Sequence, residues 1–295
     1  MTAEMAASDR ILPAGVSVRP LAEADLEAAV ALSAEARWNQ TSADWRLFLR
    51  LGSVVCLMRD GAPIATAATL PYTPRFAWIS MVLVTAAERR QGLARWLLRC
   101  CIEDLVGRAL IPVLDATPAG RAIYLGLGFR DTWNMQRLVG RADKFAADGH
   151  KGSKVRKLEE NDWPEVISFD RSVFGADRSA LLRSLAQRLP QASLVAVRHG
   201  RLVGFSLGRD GRVMTQIGPI AAADNDAAIM LLAAALSAVS GPVAVDMPDR
   251  HVALTKWLVE RGYSVERGLT RMVYQSSLCF DDTARLVAIA GPELG

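Results

Sequence analysis

Glu88-Arg89-Arg90-Gln91-Gly92-Leu93-Ala94 follows closely on an almost wholly apolar stretch, Trp78 to Val84, and leads into a proline-free helical pattern ending near Val106. The order is therefore buried strand, basic turn, helix. A strand without polar alternation is covered on both faces and so lies centrally in its sheet. A helix N-terminus presents unpaired backbone N–H groups and a partial positive charge, which suit a diphosphate. Gly92 lets the backbone approach such a group without an intervening Cβ, and Ala94 is nearly as small. Arg89, Arg90 and Arg95 can add charge-assisted hydrogen bonds. A basic surface helix with an ordinary cap would carry the same residues, so both readings stand at this point.

Outward from that turn, the patterning predicts alternating strands and helices. Val16-Arg19 reads as a short strand, Ala22 to Leu32 as an amphipathic helix with acidic residues at its start, and Thr41 to Leu51 as a second helix capped by Thr41 or Ser42. Val54-Met58 and Ile64-Leu70 form a hairpin about Asp60-Gly61. After the helix opened by Gly92 come a strand at Ile111-Asp115, a helix from Gly120 to Leu127, and a last strand near Trp133-Val139. The fold class is α/β (α+β), a mixed and mostly antiparallel sheet with helices on both faces.

The pattern then repeats. Val18-Arg19-Pro20-Leu21 is echoed by Val155-Arg156-Lys157-Leu158, Asp60-Gly61 by His199-Gly200, and Gly128-Phe129 by Gly262-Tyr263, at offsets of 137, 139 and 134. Arg137-Leu138-Val139 is echoed by Arg271-Met272-Val273. Matches that keep both order and spacing point to two copies of one fold. The expected division is residues 1–140, a polar linker at 141–154, a second copy at 155–280 and a tail at 281–295. Residues before about Gly15 and after about Phe280 read as loose ends.

Bulk composition excludes several classes. The 35 basic and 31 acidic residues are scattered with no block of like charge, which argues against nucleic acid as a partner. Cys56, Cys100, Cys101 and Cys279 show no metal spacing, so no metal is expected, and they read as reduced thiols. The start lacks a basic region followed by an apolar one, and the run from Ile229 to Val239 falls far short of the ~20 residues that span a bilayer. The expected setting is cytoplasmic, with no membrane partner.

Arg89-x-x-Gly92-x-Ala94, placed just after a buried strand, resembles the phosphate signature of the GNAT N-acetyltransferase superfamily. The resemblance covers Val16 to Gly140 and, more faintly, the second copy. It is closest to bacterial tandem proteins with a divergent C-terminal GNAT-like domain, whose wording is similar at Ala77 to Val84 and at Leu114 to Arg121. It implies two GNAT-like folds in tandem and acetyl-CoA as co-substrate. Backbone groups of Val82, Leu83 and Val84 would pair with the pantetheine arm beside a strand bulge. The turn Arg89, Arg90, Gln91, Gly92, Leu93, Ala94 and Arg95 would hold the pyrophosphate.

The same resemblance makes Tyr124 the acid that protonates the departing thiolate, although a half-buried helix tyrosine is common for packing alone. Asp115, at the end of a central strand, is the acidic candidate for deprotonating the amine, or else a cap for the following turn. Thr117 stands where many relatives carry asparagine against the coenzyme. Trp38, Asn39 and Gln40 lie in the region that shapes the acceptor pocket, with Trp45 as either lining or core. In copy two, Asp177 and Arg178 either reach over to read the acceptor or open a helix. Over the phosphate turn of copy one falls Ala221 to Ala228, with acidic residues and no glycine, and over Tyr124 falls Leu258. Copy two is therefore expected to bind no acetyl-CoA. The functional expectation is direct acetyl transfer to an amine of a small molecule or peptide by a monomer or homodimer. The alternative is a non-enzymic acyl-CoA sensor or scaffold.

Overall fold

The computed structural model describes residues 12–142 and 154–295. Most of the expected linker, together with His150 and the start of the chain, lies outside the described residues.

Copy one runs β1 (Val16–Pro20), α1 (Leu26–Glu35), α2 (Ser42–Leu51), β2 (Ser53–Arg59), β3 (Ala62–Tyr72), β4 (Phe76–Val84), α3 (Leu93–Gly107), β5 (Ile111–Ala116), α4 (Pro118–Gly126) and β6 (Phe129–Arg141). Copy two repeats the sequence of elements as β7 (Lys154–Lys157), α5 (Trp163–Phe174), α6 (Ser179–Arg188), β8 (Leu194–Arg198), β9 (Arg201–Arg209), β10 (Thr215–Ala222), α7 (Asn225–Ser237), β11 (Pro242–Pro248), α8 (Val252–Val259) and β12 (Ser264–Tyr274). It then adds β13 (Leu286–Ala288). Both hairpin turns adopt left-handed backbone at adjacent residues, φ 50° and 79° at Asp60-Gly61 and 50° and 74° at His199-Gly200. That conformation matches the twist of the strands it joins.

The described strands form one sheet, ordered β1-β2-β3-β4-β5-β12-β6-β11-β10-β9-β8-β7, with β13 on β10. Each copy's last strand has crossed over: β12 pairs β5, and β6 pairs β11. Two buried ion pairs pin the exchange. Arg271 of β12 stands opposite Asp115 of β5 and grips it with Nε and Nη2, both at 2.9 Å. Arg137 of β6 stands opposite Asp246 of β11 and grips it at 2.8 and 2.7 Å. Arg271 is also stacked between Trp78 and Trp133, with its guanidinium carbon 4.5 and 4.3 Å from their ring centres. A bidentate pair satisfies both charges, and removing one partner from such a site costs about 3–5 kcal/mol.

On one face a single apolar cluster joins the copies, Trp45 and Phe48 of α2 meeting the layer that holds Trp163 of α5 and Leu181 of α6. On the other, α3 and α7 each seal their own copy. The tail corrects the expectation of a loose end after Phe280. Leu286, Ile289 and Leu294 are fully buried, and Trp78 Nε1 donates to Pro292 O at 3.1 Å.

Candidate functional site

The central strand of copy one is bulged where a ligand arm was expected. Thr66 of β3 faces Leu83 and Ala68 faces Ser80, so Ala67 alone opposes Met81 and Val82 of β4. Met81 takes φ 51°, and its carbonyl accepts from Thr66 Oγ1 at 2.9 Å. β4 pairs with β5 only from Phe76 to Trp78. Beyond Trp78 the two strands diverge, and the side of Val82, Leu83 and Val84 turned away from β3 has no strand partner among the described residues.

The following turn is built by ion pairs. Glu35 of α1 accepts from the Ala86 amide and from Thr85 Oγ1, the latter at 2.9 Å, and these bonds hold its carboxyl below the usual range. Arg89 Nε donates to Val84 O at 3.1 Å. Gln91 donates to Glu88 at 2.9 Å, and Arg59 pairs with Glu88 at 3.0 Å. Arg90 and Gly92 both take left-handed backbone, φ 65° and 80°, a conformation that occurs in anion-binding nests. Gly92 is the N-cap of α3, no side chain caps that helix, and a Cβ on Gly92 would meet nothing within 4 Å. Leu93 is buried. Arg90, Gln91 and Arg95 are exposed around it, with Ala94 half-buried.

Where β4 and β5 diverge, a cavity opens, lined by both copies. Tyr124 of α4 and Thr117 line it beside the bulge. Burial raises the Tyr124 hydroxyl above its ordinary range. Thr117 is the N-cap of α4, its Oγ1 accepting from Gly120 N at 3.2 Å. Trp38, Asn39 and Gln40 close another wall, while Arg137, Arg267 and Glu293 come from β6, β12 and the tail.

Several expected site residues have other employment. Asp115 borders the cavity, but both its oxygens are held by Arg271 and its side chain is 0 % exposed. Burial opposes the charge on Arg271, yet Asp115 and Asp281 hold that guanidinium above its usual range. Both oxygens of Asp115 are thus turned to Arg271, which favours a structural role over that of a base, and the Thr117 turn is capped by Thr117 itself. Asn39 is also a joint. Its Oδ1 accepts from the amides of Val213 and Met214, at 2.9 and 3.1 Å, and its Nδ2 donates to Met214 O at 2.8 Å. Asp177 and Arg178 do not reach the cavity. Arg178 is bound to Asp170 and to Gly295 O, and Asp177 accepts from Ser179 N at 2.9 Å. Trp45 is core.

Reasoning from sequence missed Glu293 and Arg267. The apolar run Leu286 to Ala290 before Gly291-Pro292 is the signal that the tail is buried.

Among the described residues, the corresponding positions of copy two are occupied. Asp224 caps α7 by accepting from Ala227 N at 3.0 Å and is paired with Arg198 at 2.7 Å. β10 is irregular between Ile217 and Ile220, like β4, but β13 lies along it at Ile220 and Ala221. The amide of Ile289 donates to Asp246 O of β11 at 3.0 Å. The chain's own tail thus occupies the gap that is open in copy one. Leu258 is fully buried.

Family models agree with the duplication. One described as the acetyltransferase (GNAT) family matches residues 20–129, and one described as an acetyltransferase (GNAT) domain matches residues 166–287. An uncharacterized N-acetyltransferase of Bacillus subtilis (strain 168), YitH, is 25% identical over 222 residues, covering 75% of this chain and 77% of the relative. The holothin acyltransferase of a Pseudoalteromonas species is 26% identical over 241 residues, covering 79% and 78%. A Pyrococcus horikoshii protein classed among the acetyltransferases superposes with a TM-score of 0.78 at 19% identity, over 97% of this chain and 98% of its own. A tandem GNAT protein from the clavulanic acid biosynthesis pathway gives 0.68 at 13% identity, over 90% and 100%. At these identities the structural likeness is one of fold.

Proposed function

The chain belongs to the GNAT acetyltransferases, one such domain in each half, and from that premise we propose that copy one alone transfers acetyl from acetyl-CoA to an amine. The observation that carries this reading is the contrast between the two helix N-termini. The α3 terminus is uncapped, left-handed at Arg90 and Gly92, and opens beside a divergent strand pair. Its counterpart at α7 is capped by Asp224 and its crevice is filled by β13.

In this reading the amides from Arg90 to Arg95 receive the pyrophosphate, with Arg89 and Arg90 adding positive charge. The free side of Val82, Leu83 and Val84 receives the pantetheine amides, and the Leu83 amide lies where the thioester oxygen develops negative charge. The amine nitrogen attacks the carbonyl carbon, the C–S bond breaks, and Tyr124 protonates the sulfur. Positioning and oxyanion stabilisation supply most of the acceleration, since among the described residues no cysteine or serine nucleophile with a histidine partner lines the cavity. Pairing the copies within one chain favours a monomer.

Calorimetric titration with acetyl-CoA tests the reading. One site per chain is expected, and Arg90→Glu should weaken it at least about tenfold, roughly 1.4 kcal/mol. Two sites, or none, would overturn it. The engagement of Asp115 by Arg271 favours the second reading, a non-enzymic acyl-CoA sensor. That reading requires binding without release of free thiol across an amine panel.

A further inference from the structure

Three polar atoms that are buried without a hydrogen-bond partner among the described residues belong to side chains lining this cavity: Gln40 Oε1, Ser80 Oγ and Arg267 Nε. Buried groups of this kind are costly unless something completes them, and their chemistry says what. Gln40 Nε2 donates to Glu293 Oε1 at 2.7 Å, which fixes the amide orientation because a carboxylate can only accept. Gln40 therefore keeps its amide oxygen as an unpaired acceptor in the cavity wall. Glu293 is acceptor-only as well. Its Oε1 is taken by Gln40 and Arg209, and its Oε2 has no hydrogen-bond partner among the described residues. This wall calls for an N–H donor.

Arg267 has the opposite need. On the β6–β12 ladder it stands directly opposite Arg137, a like-charge pair that is unfavourable as it stands. Arg137 is neutralised by Asp246. The nearest acid to Arg267 is Glu266, with its carboxylate 3.8 Å from Nε, beyond hydrogen-bond length. Burial, and then Arg137, lower the Arg267 guanidinium below its ordinary range, against the opposing pull of Asp246, Glu266 and Glu293, and Nε is left without a hydrogen bond.

We propose that the acceptor is an amine carrying an anionic group, its nitrogen received by Gln40 Oε1 and Glu293 and its anion by Arg267. The assignment rests on the acetyl-transfer reading and names its substrate class. An ammonium group reaching Glu293 gives one proton to Oε2, and the neutral amine then attacks the thioester carbon. Of the two protons left on nitrogen, one stays on the amide and the other replaces that given by Tyr124 to the sulfur. Both copies contribute, since Gln40 belongs to the first, and Arg267 and Glu293 follow in the second and its tail.

Free-thiol release is measured with matched amines, amino acids beside their carboxamides and decarboxylated counterparts, after acetyl-CoA binding has been checked by calorimetry. The carboxylate-bearing member is expected to lead by at least tenfold in kcat/KM. In Arg267→Ala that ratio should fall to within threefold of unity, mainly through KM, and Arg267→Lys should restore part of it. Far-ultraviolet circular dichroism and melting temperature check that the variants are folded. Equal rates for charged and neutral members, an unchanged ratio in Arg267→Ala, or no thiol release by a chain that binds acetyl-CoA would each overturn the assignment. Failure to bind acetyl-CoA would instead sink the reading beneath it.

Discussion

Tyr124 lies over Gly120, where an added Cβ would sit 2.9 Å from its ring, and packs edge-on to Phe129 at 6.1 Å. The ring is thus held from two sides while the hydroxyl borders the cavity. Tyr124→Phe keeps that packing and removes only the proton donor, so kcat should fall about 10²-fold or more with acetyl-CoA affinity unchanged. The pH sign follows from burial. A phenol acting as an acid works while protonated and fails as pH rises through its pKa. Because that pKa is raised, no loss of rate assignable to Tyr124 should appear below about pH 10. A pH–rate profile of both forms checks this. That Tyr124 borders the cavity agrees with its place in the family resemblance, which rests on local spacing to Gly128-Phe129. The commitment of Asp115 was not legible in the sequence, since its partner Arg271 lies 156 positions away. The echo of Arg137 in Arg271 hinted at a paired role, but only strand register shows that each arginine meets the other copy's aspartate.

At the level of elements, hairpins, helices and the central strand were readable because turn chemistry and periodicity act over a few residues. The tail was misread because a three-residue strand lacks a periodic signature, and its burial depends on a gap made elsewhere. β13 takes up edge groups of β10, while Ile289 fills the space against β11. Ile289→Ala should therefore cost about 2–5 kcal/mol in urea denaturation, a loss of the size seen for large-to-small changes in a close-packed core. The same variant should still bind a single acetyl-CoA, because Asp224 continues to cap α7. Binding at two sites would mean that the tail alone silences copy two.

For the whole molecule, the decisive feature is that neither half completes its own sheet. Arg271→Met should remove the counter-charge of Asp115 and Asp281 together and lower stability by about 3–5 kcal/mol. Because β12 and β6 tie the copies together, that loss should shift one cooperative unfolding transition of the whole chain. Tryptophan fluorescence and circular dichroism should report coincident midpoints for wild type and variant. Two separated transitions would show that the halves unfold independently. The duplication itself was readable, as ordered echoes along the chain, but the exchange was not, because either pairing of the last strands satisfies the same sequence pattern.

The exchange also sets a timetable for synthesis. β5 ends at Ala116, yet the strand that covers its free edge begins only at Ser264. A ribosome adding about 5–20 residues per second needs roughly 7–30 s to cover those intervening residues. Throughout that interval β5 lacks its native neighbour and β6 can take that place instead, so a folding helper or a slow local translation rate would act there with greatest effect.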